Sequence, residues 1–201
     1  MAVNYTVQAE VVDIRSDKPK KDDIFLVDTN VWYWLTYTQA SQSALPYQIT
    51  DYPTYISKAL SKKSLLLYCG LSLSELAHNI EQTEREIFNS NLRPKEYRHN
   101  YPTERANVVA EIQAAWSQVT SIAVSTDITI NEATTNTALT RFSTQPLDGY
   151  DLLILEAMEK AGIIQVITDD GDYITVPGIR VFTANQNAIA AASNQNKLLI
   201  R

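Results

Sequence analysis

The chain has few of the features by which several protein classes are recognised. Cys69 is its only cysteine in 201 residues. An internal disulfide is therefore excluded, and we expect a reducing, cytoplasmic setting. The first residues lack a basic start followed by an apolar core, so no secretory signal is predicted. No apolar run approaches the roughly 20 residues that a membrane-spanning helix needs, and no membrane partner is expected.

An excess of positive charge is also missing. Lys and Arg total 17 against 23 Asp and Glu, which gives a formal net charge of −6. This balance excludes a protein that holds nucleic acid by bulk charge alone, but it allows an enzyme with a local basic patch. His78 and His99 have no second His or Cys at ligand spacing, so neither is expected to bind a metal. The sequence also has no Ser-His-Asp order, glycine-rich phosphate loop or Cys-x-x-Cys pair.

What is present is the alternation of strands and helices that is typical of an α/β fold. The apolar fraction of 45% suits one globular domain with a substantial core. Short apolar runs predict buried strands at residues 24–28, 64–70, 121–125, 163–168 and 178–183. Helical spacing predicts helices at residues 29–38, 54–63, 72–88, 103–119, 130–142 and 150–162. The pattern predicts a Rossmann-like, three-layer α/β/α fold around a mostly parallel sheet.

Four segments make up the predicted organisation. Residues 1–23 form an N-terminal extension, with loose alternation that predicts an added strand at 3–14 and then a charged linker. Residues 24–182 form the main domain, with an insertion at about 82–120. Two prolines predict irregular structure at 89–102, inside that insertion. Residues 183–201 are predicted to be a polar, weakly patterned C-terminal tail.

Carboxylates follow the predicted strands at the points where each strand ends. They lie directly after a strand or in the first turn of the next helix, and they are Asp28, Glu75, Asp151, Asp169, Asp170 and Asp172. Parallel α/β sheets bind ligands beyond the carboxyl ends of their strands. Carboxylates gathered there repel one another unless protons or divalent cations relieve the charge. Oxygen ligands suit Mg²⁺ or Mn²⁺, which usually also take phosphate oxygens of a substrate. The pattern therefore indicates phosphodiester chemistry.

Helix capping is the alternative interpretation of two of these carboxylates. Asp28 could cap the helix that follows the strand "IFLV". Glu75 could complete a Ser-x-x-Glu capping box in "SLSE", with Ser72 as the N-cap residue. Either role would account for the residue without a metal ion.

Neighbouring carboxylates compete for two of the other positions. Asp148 precedes Gly149 and suits an N-cap, so the metal role goes to Asp151, one turn into the helix. In "TDDGDY", turn formation could explain Asp169, Asp170 and Asp172 alike. The spacing Thr168-x-Asp170 favours Asp170 as the ligand.

Three segments in order resemble the PIN-domain nucleases. They are "FLVDTNVW", "LSLSELAH" and the pair "YDLLILEAMEKAG" and "IIQVITDDGDY". The resemblance implies an acidic quartet of Asp28, Glu75, Asp151 and Asp170 that binds Mg²⁺ or Mn²⁺, with Asp172 as an auxiliary catalytic residue. It implies an endoribonuclease whose hydrolysis leaves a 5′-phosphate and a 3′-hydroxyl. The compact toxin branch of the family resembles VapC, from which this chain departs by its extension and its insertion.

Partners follow from the same resemblance. RNA is the expected substrate, and an antitoxin protein and a second copy of the chain in a homodimer are further candidates. A cluster of Arg93, Lys95 and Arg98 beside Tyr97 and Tyr101 suits single-stranded nucleic acid, although a solvated irregular loop explains it equally well. The rival function is a PIN-like binding module in a larger assembly, whose acidic crevice does not cleave.

Overall fold

The computed structural model describes residues 3–201, and within them six strands form one sheet in which every neighbouring pair is parallel. The strand order across the sheet is β1-β6-β5-β2-β3-β4. The strands are β1 (Glu10–Asp13), β2 (Ile24–Val27), β3 (Leu65–Cys69), β4 (Val124–Thr126), β5 (Gln165–Ile167) and β6 (Arg180–Thr183). The five strands predicted in the main domain are thus present, and the α/β class is confirmed.

Helices connect the strands along the chain. Eight α-helices occur in the described residues: α1 (Thr29–Thr36), α2 (Asp51–Ser61), α3 (Ser72–Asn89), α4 (Pro94–Asn100), α5 (Pro102–Ile122), α6 (Glu132–Phe142), α7 (Gly149–Lys160) and α8 (Gln186–Asn194). Two short 3₁₀ turns, Ala40–Gln42 and Gly171–Thr175, complete the connections. None of the helices between residues 3 and 201 combines the length and the apolar character that crossing a membrane would require.

The sheet separates two apolar cores, because side chains of a strand point alternately to its two faces. In β2, Phe25 and Val27 join one core, and Leu26 joins the other. The first core is covered by α1, α2, α3 and α5, and the second by α6, α7 and α8. This arrangement is the three-layer α/β/α architecture that the sequence predicts.

The strand order reverses between β2 and β5. From β2 the chain runs outward through β3 to β4, then returns through α6 and α7 to β5 on the other side of β2. Such a reversal opens a crevice beyond the carboxyl ends of the two central strands, where doubly wound folds bind ligands. Asp28 follows β2 directly, and Asp169 and Asp170 lie two and three residues beyond Ile167, the end of β5.

Three segments differ from their predicted structure. Residues 94–100, predicted to be irregular, form α4, because each of two prolines occupies the first turn of a helix, where its missing amide hydrogen costs nothing. The predicted tail contains α8, whose N-cap Asn185 accepts hydrogen bonds from the amides of Asn187 and Ala188. The predicted strand at residues 3–14 is shorter, since the amides of Gln8 and Ala9 bond to the carbonyl of Ile174 rather than to a strand.

Candidate functional site

Asp28 lies at the junction of β2 and α1, almost wholly buried, with 3% of its surface exposed. One carboxylate oxygen accepts from the Thr29 amide at 2.7 Å, and the other from the Thr168 hydroxyl at 2.6 Å. Asp28 is therefore the N-cap of α1, as the capping alternative predicts. Burial and the charge of Glu75 nevertheless raise the pKa of Asp28 to about 7, against the opposing hydrogen bond from Thr168. The capping role of Asp28 does not account for the charge of Glu75 beside it.

Glu75 lies in the first turn of α3. Ser72 is the first residue of this helix rather than its N-cap, and no side chain in the described part of the chain caps the helix. The alternative capping box therefore does not form. The Oε2 atom of Glu75 is buried and has no hydrogen-bond partner among residues 3–201. Burial raises the pKa of Glu75, and the charges of Asp148 and Asp170 add to that effect, while nearby Thr29 and His78 lower it. Glu75 thus carries an oxygen that the described protein leaves free.

Asp151 projects from the first turn of α7 and is 6% exposed. Its Oδ1 atom accepts from the hydroxyl of buried Tyr173 at 2.9 Å. Burial, followed by the charges of Asp28 and Asp148, raises the pKa of Asp151 to about 9. Asp148 is the N-cap of α7, as predicted, and it accepts from the amides of Tyr150 and Asp151 at 2.9 and 3.2 Å.

The two consecutive aspartates in the turn after β5, Asp169 and Asp170, have different surroundings. Asp169 is 9% exposed and accepts hydrogen bonds from three side chains: Tyr47, Gln48 and Tyr52. Among residues 3–201, Asp170 accepts a hydrogen bond only from the amide of Asp172, at 2.8 Å. Burial and the charge of Asp148 raise its pKa. These surroundings favour Asp170 over Asp169 as the residue that faces the crevice.

Thr168 holds the turn against β2. Its hydroxyl donates to Asp28 and accepts from the amide of Asp170 at 2.9 Å. One side chain therefore fixes the relative positions of Asp28 and Asp170. This contact explains in physical terms why the spacing Thr168-x-Asp170 indicates the turn.

Asp172 lies at the edge of this turn, beside the N-terminal segment. Burial and the charge of Asp170 raise its pKa. Tyr5 packs against Gly171, where an added Cβ atom would lie only 2.2 Å from the tyrosine hydroxyl. Burial and the charges of Asp172 and Asp170 raise the pKa of Tyr5. The N-terminal extension thus borders the crevice, a placement that the sequence does not indicate.

The predicted carboxylates influence one another. After burial, the charge of Asp170 raises the pKa values of Asp28, Glu75, Asp151 and Asp172, which places all five in one electrostatic neighbourhood. Within residues 3–201, no three His, Cys, Asp or Glu side chains could hold one metal ion as they stand. The donors fit Mg²⁺ or Mn²⁺ by their chemistry: all are oxygens, all are charge-crowded, and the buried Oε2 of Glu75 lacks a partner.

Two neighbours of Asp28 were not predicted to contribute. Asn30 Oδ1 is a buried atom without a hydrogen-bond partner in the described part of the chain. Thr29 Oγ1 is buried too and has no partner at hydrogen-bond geometry, although it lies close enough to Glu75 to lower the pKa of that carboxyl group. Both belong to the first turn of α1, directly after Asp28. A buried oxygen without a partner is costly, so these atoms add two neutral oxygens that lack a hydrogen bond near the crevice.

The basic cluster at residues 93–101 is divided by the structure. Tyr97 is buried and packs with Tyr101 against Phe88, so Tyr97 is not free to stack on bases. Arg98 instead pairs with Glu81 on α3, together with Arg105 from α5. Neighbours in the sequence therefore lie in two different environments. Tyr97 and Tyr101 belong to an aromatic cluster, and Arg98 belongs to an ion-pair network.

Comparisons with known proteins do not assign the chain. It matches no protein-family model, and no curated protein matches it.

Proposed function

We propose that the protein is a metal-dependent endonuclease of the PIN type that hydrolyses phosphodiester bonds of RNA. The observation that carries the proposal is the raised pKa of four carboxyl groups at strand ends and helix starts, to which the charges of neighbouring carboxylates contribute. These groups are Asp28, Glu75, Asp151 and Asp170. Raised carboxyl pKa values in a cleft are typical of functional sites. The resemblance of the three sequence segments to PIN domains supports the same reaction.

The surroundings of each residue indicate the role that it would have in the proposed hydrolysis. Asp28, Asp151 and Asp170 would hold Mg²⁺ or Mn²⁺, and a bound ion of this kind polarises a phosphoryl oxygen and makes water a stronger nucleophile. Thr168 and Tyr173 orient Asp28 and Asp151 through their hydroxyl groups. The free oxygen of Glu75 would accept a hydrogen bond or a proton from the attacking water.

The proposed nuclease could also be the toxin of a toxin–antitoxin pair, and this role is secondary to the proposed cleavage. The PIN resemblance supports it, while the N-terminal extension and the helices α4 and α5 lie outside the compact VapC-like pattern. Co-purification with a small protein encoded beside this chain would support the toxin role. Cleavage of RNA does not depend on that outcome.

Cleavage of labelled single-stranded RNA tests the proposal. The purified chain should cut RNA with Mn²⁺ or Mg²⁺, and EDTA should stop the reaction. Asp28→Asn should lose at least about a hundredfold in rate, because it removes a charge that would bind the cation. Asp127→Asn is the matched control: Asp127 follows β4 and is exposed, and the variant should cleave like the parent.

Two results would contradict the proposal. Equal cleavage by the parent and by Asp28→Asn would assign the activity to a contaminant or to another site. No cleavage by the parent under any divalent cation would favour the rival, a binding module whose crevice does not cut.

A further inference from the structure

We propose that Arg98 and Arg105, anchored on Glu81, form a phosphate clamp that holds the RNA strand beside the carboxylate crevice. The inference rests on the proposed function, since it names how that site holds its substrate. The clamp borders a cavity of about 400 Å³, whose lining includes Ser74, His78, Glu81, Arg98, Arg105 and Tyr150.

The charges at the cavity are unbalanced in favour of phosphate. Glu81 is buried and accepts from Arg98 Nε at 2.6 and 2.9 Å and from Arg105 Nη1 at 2.9 Å. Two guanidinium groups thus share one carboxylate, which leaves one net positive charge. Their side chains are 43% and 41% exposed, against 9% for that of Glu81.

The anchoring matters because a guanidinium group has five N–H donors in a planar fork. Glu81 engages Nε and Nη2 of Arg98 but only Nη1 of Arg105. The remaining N–H groups of both side chains can therefore donate to phosphate oxygens without breaking the pair. A buried anchor also holds two long side chains in place, which reduces the entropy cost of binding.

The cavity lies next to the proposed catalytic carboxylates. Ser74 and Tyr150 in its wall directly precede Glu75 and Asp151 in the sequence. His78, also in the wall, lies close enough for its charge to lower the pKa of Glu75. Along the axis of α3, the backbone position of Glu81 is displaced by about 9 Å from that of Glu75, at a rise of 1.5 Å per residue. An RNA strand with one phosphate in the crevice can therefore reach the arginines with another.

The exposed surface of the clamp also suits RNA rather than an isolated anion. The cavity is open and polar, and Tyr150, one of its lining residues, is 45% exposed. An exposed aromatic ring beside cations is the arrangement that binds single-stranded nucleic acid by stacking and charge together. The sequence predicts such a combination with Tyr97, but the structure supplies Tyr150 in its place.

Binding in EDTA tests the clamp separately from cleavage. The probe is a short fluorescein-labelled oligouridylate, and its anisotropy is measured with the full chain over a range of salt concentrations. Arg98→Ala and Arg105→Ala each leave Glu81 with one arginine partner, so both variants should remain folded, and thermal melts check this. Each should weaken binding several-fold and lower the log–log salt slope by about one. Lys58→Ala, which removes an exposed cation of α2 outside the cavity, should bind like the parent.

Three results would overturn the clamp. They are no binding of the probe by the parent, an unchanged salt slope in both folded arginine variants, and an equal loss in Lys58→Ala, which would assign binding to diffuse charge. Cleavage by the parent with unchanged binding in the arginine variants would reject the clamp and leave the nuclease proposal intact. Binding through the arginines without any cleavage would reject the nuclease proposal instead.

Discussion

Asp151 carries a carboxyl group in surroundings that favour its neutral form. Burial and the charge of Asp28 raise its pKa from 3.8 to about 9, and the pKa of Asp28 itself is raised to about 7. Between the ordinary pKa of 3.8 and these raised values, the folded chain therefore binds more protons than the unfolded chain. These pKa values predict that ionising both carboxyl groups at neutral pH costs the fold stability.

The pH dependence of stability follows in sign from these pKa values. A group with a raised folded pKa stabilises the fold fully below its unfolded pKa, and this contribution is lost as pH rises through the folded pKa. In EDTA, the free energy of unfolding should therefore fall from about pH 4 to about pH 9. Each kcal/mol lost should lower the Tm by roughly 2–4 °C.

Asp151→Asn isolates this effect. An asparagine retains an oxygen that can accept the hydrogen bond from Tyr173 but cannot ionise. The variant should be at least as stable as the parent at neutral pH in EDTA, and its Tm should vary less between pH 4 and pH 9. Thermal melts over this range make the measurement, with Asp127→Asn as the exposed control. A parent whose Tm rises steadily over that range would refute the raised pKa values.

For single residues, the sequence predicts where a carboxylate lies in the fold better than it predicts the side chains around that carboxylate. Asp28, Glu75, Asp151 and Asp170 could be chosen because strand ends and helix starts meet at one edge of a parallel sheet. Asp169 could be set aside only through its contacts with Tyr47, Gln48 and Tyr52, which lie more than a hundred residues away in the chain. Such long-range partners leave no local signal in the sequence.

Among the secondary elements, the C-terminal segment is tied to the linker that precedes β2. Arg201 forms ion pairs with Asp17 and Asp23 at 2.9 and 2.7 Å, and its guanidinium carbon lies 4.6 Å from the centre of the Phe182 ring. The three charged side chains are at most 8% exposed. The two aspartates would be left buried and unpaired without this arginine, so the segment has a structural role.

Arg201→Met should destabilise the fold by about 3–5 kcal/mol, because removing one partner of a buried ion pair leaves charge without compensation. Arg180→Met is the matched control, since Arg180 pairs with the 53%-exposed side chain of Glu10 on neighbouring β1. A pair of that kind is worth about 0–1 kcal/mol. Urea unfolding of both variants compares the two losses. Equal small losses would show that the C-terminal segment contributes little to stability.

Helices and strands were predicted correctly where the local sequence pattern matches the way the segment packs in the fold. The runs "IFLV" and "LLLYC" are buried strands, and both are flanked by polar residues. The helix α8 was missed because its apolar side chains are mainly alanines, which give a weak pattern although they favour helix. The helix α4 was missed because prolines were interpreted as breakers, whereas here they begin α4 and α5.

At the scale of the whole molecule, the proposed function requires a chain of net charge −6 to bind an anionic substrate through a local arrangement of charges. In the proposed function, a divalent cation would let the acidic crevice bind one phosphate, and Arg98 and Arg105 would bind another phosphate of the strand without a cation. The order of the six strands creates this arrangement, because it places β2 beside β5. Alternation of strands and helices predicts a parallel sheet, but it does not fix which strands are neighbours.

The most direct measurement is the thermal melting of the parent and of Asp170→Asn, each in EDTA and in Mn²⁺. If the carboxylates form a cation site, Mn²⁺ should stabilise the parent, by about 2.7 kcal/mol at a hundred times its dissociation constant. Asp170→Asn should be at least as stable as the parent in EDTA, since it removes a repelling charge, and it should gain less from Mn²⁺. A parent that melts at the same temperature in both buffers would contradict the cation site and the nuclease assignment that depends on it.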